Sequence, residues 1–191
     1  MAKQLFLHIN RFIKINEKDF REMLSFFELH TFDKKDIIMN PGNRCNNNFF
    51  VLEGCVHMYF TNDNGIDRTV QFAIENWWIT DNLAYYKKSI TNFGIQAVEP
   101  TQILSLSHSK QEQLLAKFPS LEKYFRIVYQ ISYGSSIMKT KYLYEFSKED
   151  IYFHFTSHYP WFAQRVPQYL IASFLGLTPE YVSEIKNKKR S

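Results

Sequence analysis

Hydrophobic and polar positions along the chain fall into three regimes. In residues 16–28 (NEKDFREMLSFFE), Phe20, Met23, Leu24 and Phe27 recur at helical spacing opposite a polar face, which predicts a helix. From Phe32 to about Leu106 the texture becomes short β-prone runs, at residues 48–52, 55–61, 68–74, 95–98 and 102–106. Turn signals separate them: Asn40-Pro41-Gly42 marks a turn, Glu53-Gly54 closes a tight hairpin, and Asn64-Gly65 is the strongest hairpin signal. Short strands at this spacing predict a sandwich or barrel. After Ser107 the helical period returns, with a short helix over 108–117 and a long one opened by Pro119. In the long helix Leu121, Tyr124, Val128, Ile131, Ser135, Met138 and Tyr142 recur three and four apart, a heptad-like seam suited to a partner helix. Ser147-Lys148-Glu149-Asp150 caps a further helix through His158, which Pro160 ends.

Residues 168–187 (QYLIASFLGLTPEYVSEIKN) carry the most specific pattern. Apolar Ile171, Leu175, Leu177, Val182 and Ile185, with small Ala172 and Gly176, suit two short helices crossing steeply, a helix-turn-helix. Gly176 supplies the positive φ that ends the first helix. Thr178 offers an N-cap hydroxyl, Pro179 fits the first helical position, and Glu180 suits the positive end of the helix dipole. With Val182 and Ile185 facing inward, Pro179, Glu180, Ser183, Glu184 and Asn187 form the outer face, and double-stranded DNA is the expected partner.

Composition narrows the alternatives. Hydrophobic residues make up 45% and charged residues 22%, so a packed core is expected and disorder is not. The net charge of +4 is mild, and cations concentrate at the end, in Lys186, Lys188, Lys189 and Arg190, where phosphate contact follows naturally from a recognition helix. Two cysteines, Cys45 and Cys55, are too few for a disulfide scaffold or a cysteine-ligated cluster. The start of the chain, MAKQLFLHINRF, is broken by polar residues and lacks a signal-peptide core. No apolar run approaches the about 20 residues that span a bilayer, so a cytoplasmic protein without membrane contact is expected.

A β-rich region, a long helix and a helix-turn-helix, in that order, resemble the Crp/Fnr family of transcription regulators. Three passages carry the resemblance: IIMNPGNRCNNNFFVLEGCVHMYFTNDNGIDRTVQF, whose Pro41-Gly42, Gly54 and Gly65 match turns of that family's β-roll; GIQAVEPTQILSL, like the roll's closing strands; and RVPQYLIASFLGLTPEYVSEIKNK, very like the helix-turn-helix of short members from Bacteroidetes-type bacteria. The resemblance implies an α+β fold. It comprises a double-stranded β-helix (a jelly-roll or cupin-like β-roll) with flanking helices, a long dimerisation helix and a C-terminal winged-helix-type helix-turn-helix. The implied division is a sensor at 1–118, a dimer helix at 119–146 and a DNA-binding domain at 147–191. It further implies a homodimer, an effector-biased DNA reader, and contact with RNA polymerase. By the same resemblance Gln168 touches phosphate, Glu180 accepts from a cytosine amino group, and Thr178, Pro179, Ser183, Lys186, Asn187 and Lys188 join the interface. Glu184 stands where the family usually has an arginine aimed at guanine, so the usual target sequence does not carry over.

The effector site departs further. Cyclic-nucleotide-binding members carry a Gly-Glu-Leu turn and, about ten residues on, an Arg-Ser or Arg-Thr pair that neutralises the cyclic phosphate. Here Asp81-Asn82-Leu83 replaces the turn, Thr91-Asn92 falls near the missing arginine, and Phe72 is the aromatic candidate for the pocket wall. Without that cation a buried phosphate lacks its counter-charge. The nearest lysines, Lys87 and Lys88, lie on a segment that reads as exposed. No cofactor is expected, usual cyclic AMP binding is disfavoured, and an unknown small molecule is the alternative effector. Trp77-Trp78 with Tyr85-Tyr86 read first as core. Cys55 with His57, and His154 with His158, have spacings compatible with metal binding but lack further ligands. No catalytic arrangement stands out. A cyclic-nucleotide or other small-molecule binding module with little or no DNA binding, and a cupin-like enzyme, are the rival readings.

Overall fold

The computed structural model describes residues 2–188. The chain forms two compact units, Met1–Met58 with Phe72–Gln130, and Tyr59–Gln71 with Ile131–Ser191.

Eight strands follow two short helices. Helix α1 is Lys3–Asn10 and α2 is Glu17–Met23, followed by a 3-10 turn at Leu24–Phe26. The strands are β1 Glu28–Phe32, β2 Ile37–Met39, β3 Asn47–Glu53, β4 Cys55–Thr61, β5 Asp67–Ile74, β6 Trp78–Ile79, β7 Gly94–Ala97 and β8 Thr101–Ser107, with helix α3 (Asn82–Lys87) between β6 and β7. They form two four-stranded sheets in the orders β1-β8-β3-β6 and β2-β7-β4-β5, the arrangement of a double-sheet jelly roll. Strand β8 is central in the first sheet, pairing antiparallel with β1 (Leu29 opposite Leu104) and with β3 (Phe50 opposite Leu104).

Strand β3 shows why its sequence is a continuous apolar run rather than an alternation. Phe50 and Leu52 join Leu104, Leu106 and Trp78 in a cluster with Leu5 and Ile9 of α1 and with residues of the helices after β8. Phe49 and Val51 point to the opposite face and are buried too, so both faces of the strand are covered. Helix α4 (His108–Lys117) is capped by Ser107, whose hydroxyl accepts from the Lys110 amide. Helix α5 (Ser120–Glu145) adds Leu121, Tyr124 and Phe125 to the same core.

The second unit holds the hairpin tip of β4 and β5, the C-terminal half of α5, and helices α6 Lys148–His158, α7 Pro160–Arg165, α8 Gln168–Phe174 and α9 Pro179–Lys188. Its buried residues include Ile151, Phe162, Val166, Ile171, Leu175, Val182 and Ile185.

Several expectations change. The helix expected over 16–28 stops at Met23, because Phe27 is extended and Glu28 pairs with Ser105 in the sheet. A helix that the sequence analysis did not assign spans Lys3–Asn10, with Leu5, His8 and Ile9 buried. Pro160 ends α6 and also opens α7 at its first turn, where a proline's missing N–H costs nothing. Among the described residues no strand lies between 131 and 188, so the wing of the expected winged helix is absent there. Helix α5 is shared between the units, with residues 120–130 in the first and the remainder in the second. Leu121 (2% exposed) and Tyr124 (1% exposed) fill the first unit's core and are not available to a partner helix, with Val128 packed against the same cluster. Ile131, Ser135 and Met138 are exposed and Tyr142 is half-buried.

Candidate functional site

Two places hold the residues expected to act, one in each unit. In the first, Asp81 caps α3: its Oδ1 accepts from the amides of Leu83 (3.2 Å) and Ala84 (3.1 Å). Its Oδ2 accepts from the Thr91 hydroxyl at 2.8 Å, and Thr91 is fully buried. The Thr91 oxygen in turn accepts from the Phe93 amide at 3.0 Å. The loop is further zipped to residues 42–45. The Gly42 amide donates to Thr91 O (2.8 Å), the Thr91 amide to Asn43 O (3.0 Å), and the Cys45 amide to Ser89 O (3.0 Å). Tyr85 anchors α3, its single hydroxyl proton within reach of Gln111 Oε1 (3.1 Å) and Leu106 O (3.3 Å).

The six effector candidates therefore separate. Asp81 and Thr91 bind each other and their own loop. Asn82, Leu83 and Asn92 are exposed at the surface, and Phe72 is buried on β5 with its ring 6.2 Å from that of His57. The cations on these segments, Arg44, Lys87 and Lys88, are exposed, and Lys88 pairs with Glu112 at 3.4 Å. His57 lies within 3.2 Å of Gln96 Oε1, a contact the sequence did not signal.

A buried polar relay stands behind the first unit's core. Trp78 Nε1, which can only donate, gives its hydrogen to the Tyr124 hydroxyl at 2.8 Å. The same hydroxyl lies 2.8 Å from His8 Nδ1, which accepts its proton when His8 is neutral and protonated on Nε2. Burial, reinforced by the positive charge of Arg11, pushes the His8 pKa down to about 4.

In the second unit α8 and α9 form a tightly joined pair. Gly176 has φ +73°, and the Leu177 amide donates to Ala172 O at 2.8 Å while the Gly176 amide donates to Ser173 O. The Thr178 hydroxyl caps α9 by accepting from the Tyr181 amide at 3.2 Å. Val182 and Ile185 are buried, and Pro179, Glu180, Ser183, Glu184, Asn187 and Lys188 are exposed. Lys186 donates to Gln168 Oε1 at 2.8 Å, joining the start of α8 to the end of α9. Glu184 and Lys188 form an ion pair at 2.7 Å, and that contact holds the Lys188 amine above its ordinary range. Lys189 and Arg190 lie outside the described residues. Among those residues, no three His, Cys, Asp or Glu side chains gather to hold a metal, and no helix is long and apolar enough to cross a membrane. His154 and His158 stack on each other, ring centroids 4.0 Å apart.

Residues 29–118 match the family model of the cyclic nucleotide-binding domain. The roll is of the cyclic nucleotide-binding type. Solved structures of the same fold include the c-di-GMP-responsive global regulator CLP of Xanthomonas campestris (13% identity, TM-score 0.71, 92% of each chain covered). FixK2 of Bradyrhizobium japonicum is similar as well (13% identity, TM-score 0.71, covering 85% of this chain and 83% of that one). A CooA variant from Carboxydothermus hydrogenoformans aligns over 97% of this chain and 84% of its own (18% identity, TM-score 0.68). No curated protein matches the chain by sequence. The cyclic nucleotide-binding-type roll thus has structural neighbours among Crp/Fnr regulators, and at these identities the likeness is one of fold.

Proposed function

We propose that this chain is a homodimeric, sequence-specific DNA-binding transcription regulator of the Crp/Fnr type, acting in the cytoplasm and not as an enzyme. The observation that carries the reading is α9: its apolar residues are spent inside the unit, while Glu180, Ser183, Glu184 and Asn187 are exposed together on one helix. A helix so presented fits the major groove. In this reading Glu180 accepts from a base-edge amino group, and the Gln168–Lys186 pair supplies donors to phosphate. The pairing of Glu184 with Lys188 limits the repulsion that a second carboxylate brings to DNA. Homodimers form along the exposed half of α5, and RNA polymerase is a further partner.

The roll does not take cyclic AMP in the usual way. In support, Asp81-Asn82-Leu83 replaces the family's Gly-Glu-Leu turn and Thr91 falls near the missing arginine, and here Asp81 accepts from the Thr91 hydroxyl instead. The effector is a different small molecule, or the roll acts without one. Selection from random duplexes followed by a gel-shift assay at low salt tests DNA recognition, and recovery of no bound sequence refutes it. Titration with cyclic AMP is expected to leave the melting temperature unchanged, whereas a rise would show binding to the native state.

A further inference from the structure

Strand β5 stands last in its sheet, so one row of its backbone groups needs partners from outside the sheet. Helix α8, in the same unit as the β4–β5 hairpin tip, serves two groups of the strand, Thr69 N–H and Asp67 O. The Ser173 hydroxyl accepts from the Thr69 amide at 2.9 Å and donates to Asp67 O at 3.3 Å, one side chain serving two groups on that edge. Lys139 of α5 adds a second tie, donating from Nζ to Val70 O at 3.0 Å. Its ammonium also lies 3.7 Å from the centroid of the Phe174 ring, close enough for a cation–π contact. Burial pushes the Lys139 amine down to about 8, so it stays largely charged at neutral pH.

We propose that these contacts are a clasp through which the hairpin sets how the α8–α9 pair is held, and hence how α9 is presented. The proposal rests on the DNA-reading role argued above. Three observations lead to it. The clasp grips Ser173 and Phe174, the last turn of α8, and leaves Gln168 and the exposed residues of α9 uninvolved. The Leu177–Ala172 bond ties α9 to that same end of α8, so whatever restrains one restrains the other. Strands β4 and β5 also carry His57 and Phe72, so the clasped segment continues directly from the strands of the roll. Ser173 and Lys139 are positioning residues in this scheme and make no contact with DNA.

The test compares the full chain with Ser173→Ala and Lys139→Met. In both variants hydrogen exchange at the Thr69 and α8 amides is expected to quicken by roughly fivefold, with β3 and β8 unchanged. Affinity for a duplex selected by the wild-type protein should fall by about threefold to tenfold, at an unchanged slope of log affinity against log salt. Unchanged Thr69 exchange in Ser173→Ala overturns the clasp, as does equal acceleration throughout the chain. Faster exchange with unaltered affinity overturns its positioning role. A salt slope reduced by about one in Lys139→Met would make Lys139 a phosphate ligand instead. If the wild type selects no duplex, the DNA reading fails while the exchange measurement still decides whether the clasp exists.

Discussion

At the scale of single residues, conformation and burial decide which positions tolerate change. Gly54 has φ +96°, and a Cβ there would meet Thr101 Oγ1 at 2.4 Å, Pro100 O at 2.6 Å and Thr101 Cα at 2.8 Å. Two of those atoms are backbone and cannot yield cheaply. Gly54→Ala is expected to cost about 2–4 kcal/mol in urea unfolding. Gly65, whose Cβ would meet nothing within 4 Å, should lose only about 1 kcal/mol from its positive φ. Both turns were readable as glycine pairs in the sequence, but only the packing against Thr101 separates them. His8 makes a pH prediction. The unfolded chain takes up a proton below its ordinary value of 6.5 that the folded chain refuses until about 4. Stability is therefore unaffected above pH 6.5 and declines as the pH falls through that window, by about 2 kcal/mol at pH 5. His8→Gln should flatten that part of the stability–pH curve. Nothing in the residues 3–10 pattern signalled the relay, because Tyr124 and Trp78 are distant in sequence.

Elements form where local signals and packing agree. The helix pair was legible because its devices are short-range: Gly176 at the turn, Thr178 at the cap, and two buried residues three apart. Thr178→Ala removes the cap bond and should cost about 1 kcal/mol of stability, read in chemical unfolding. Glu184→Gln leaves a surface position and should barely alter stability, while strengthening binding to a selected duplex because a like charge facing phosphate is removed. Weaker binding by Glu184→Gln would show that the carboxylate accepts from a base. Elements that packing decides were missed. Strand β6 is the two residues Trp78–Ile79, too short for any periodicity, and exists through pairing with Phe49 and Phe50. Helix α7 follows α6 without a spacer, so one proline carries the signals of an end and a beginning.

For the whole molecule, the central question is how far the seam on α5 extends to a partner. Its stripe is continuous in sequence, yet Leu121 and Tyr124 are consumed by the first unit's core while Ile131 and Met138 stay exposed. Leu121→Ala should destabilise the chain by about 2–5 kcal/mol through the cavity it leaves. A double change of Ile131→Asp and Met138→Asp should convert dimer to monomer in sedimentation at little cost to the folded chain, and a monomeric wild type would refute the pairing. The sequence by itself determined the succession of a β-rich region and a helical one, the glycine turns at 54 and 65, and the inward face of α9, because these follow from periodicity and backbone restriction within a few residues. Tertiary structure alone decided that half the α5 stripe is core, that Asp81 and Thr91 satisfy each other, and that Ser173 meets the edge of β5. Those outcomes depend on which distant groups compete for the same buried surface and the same hydrogen bond, and no local pattern records the result of that competition.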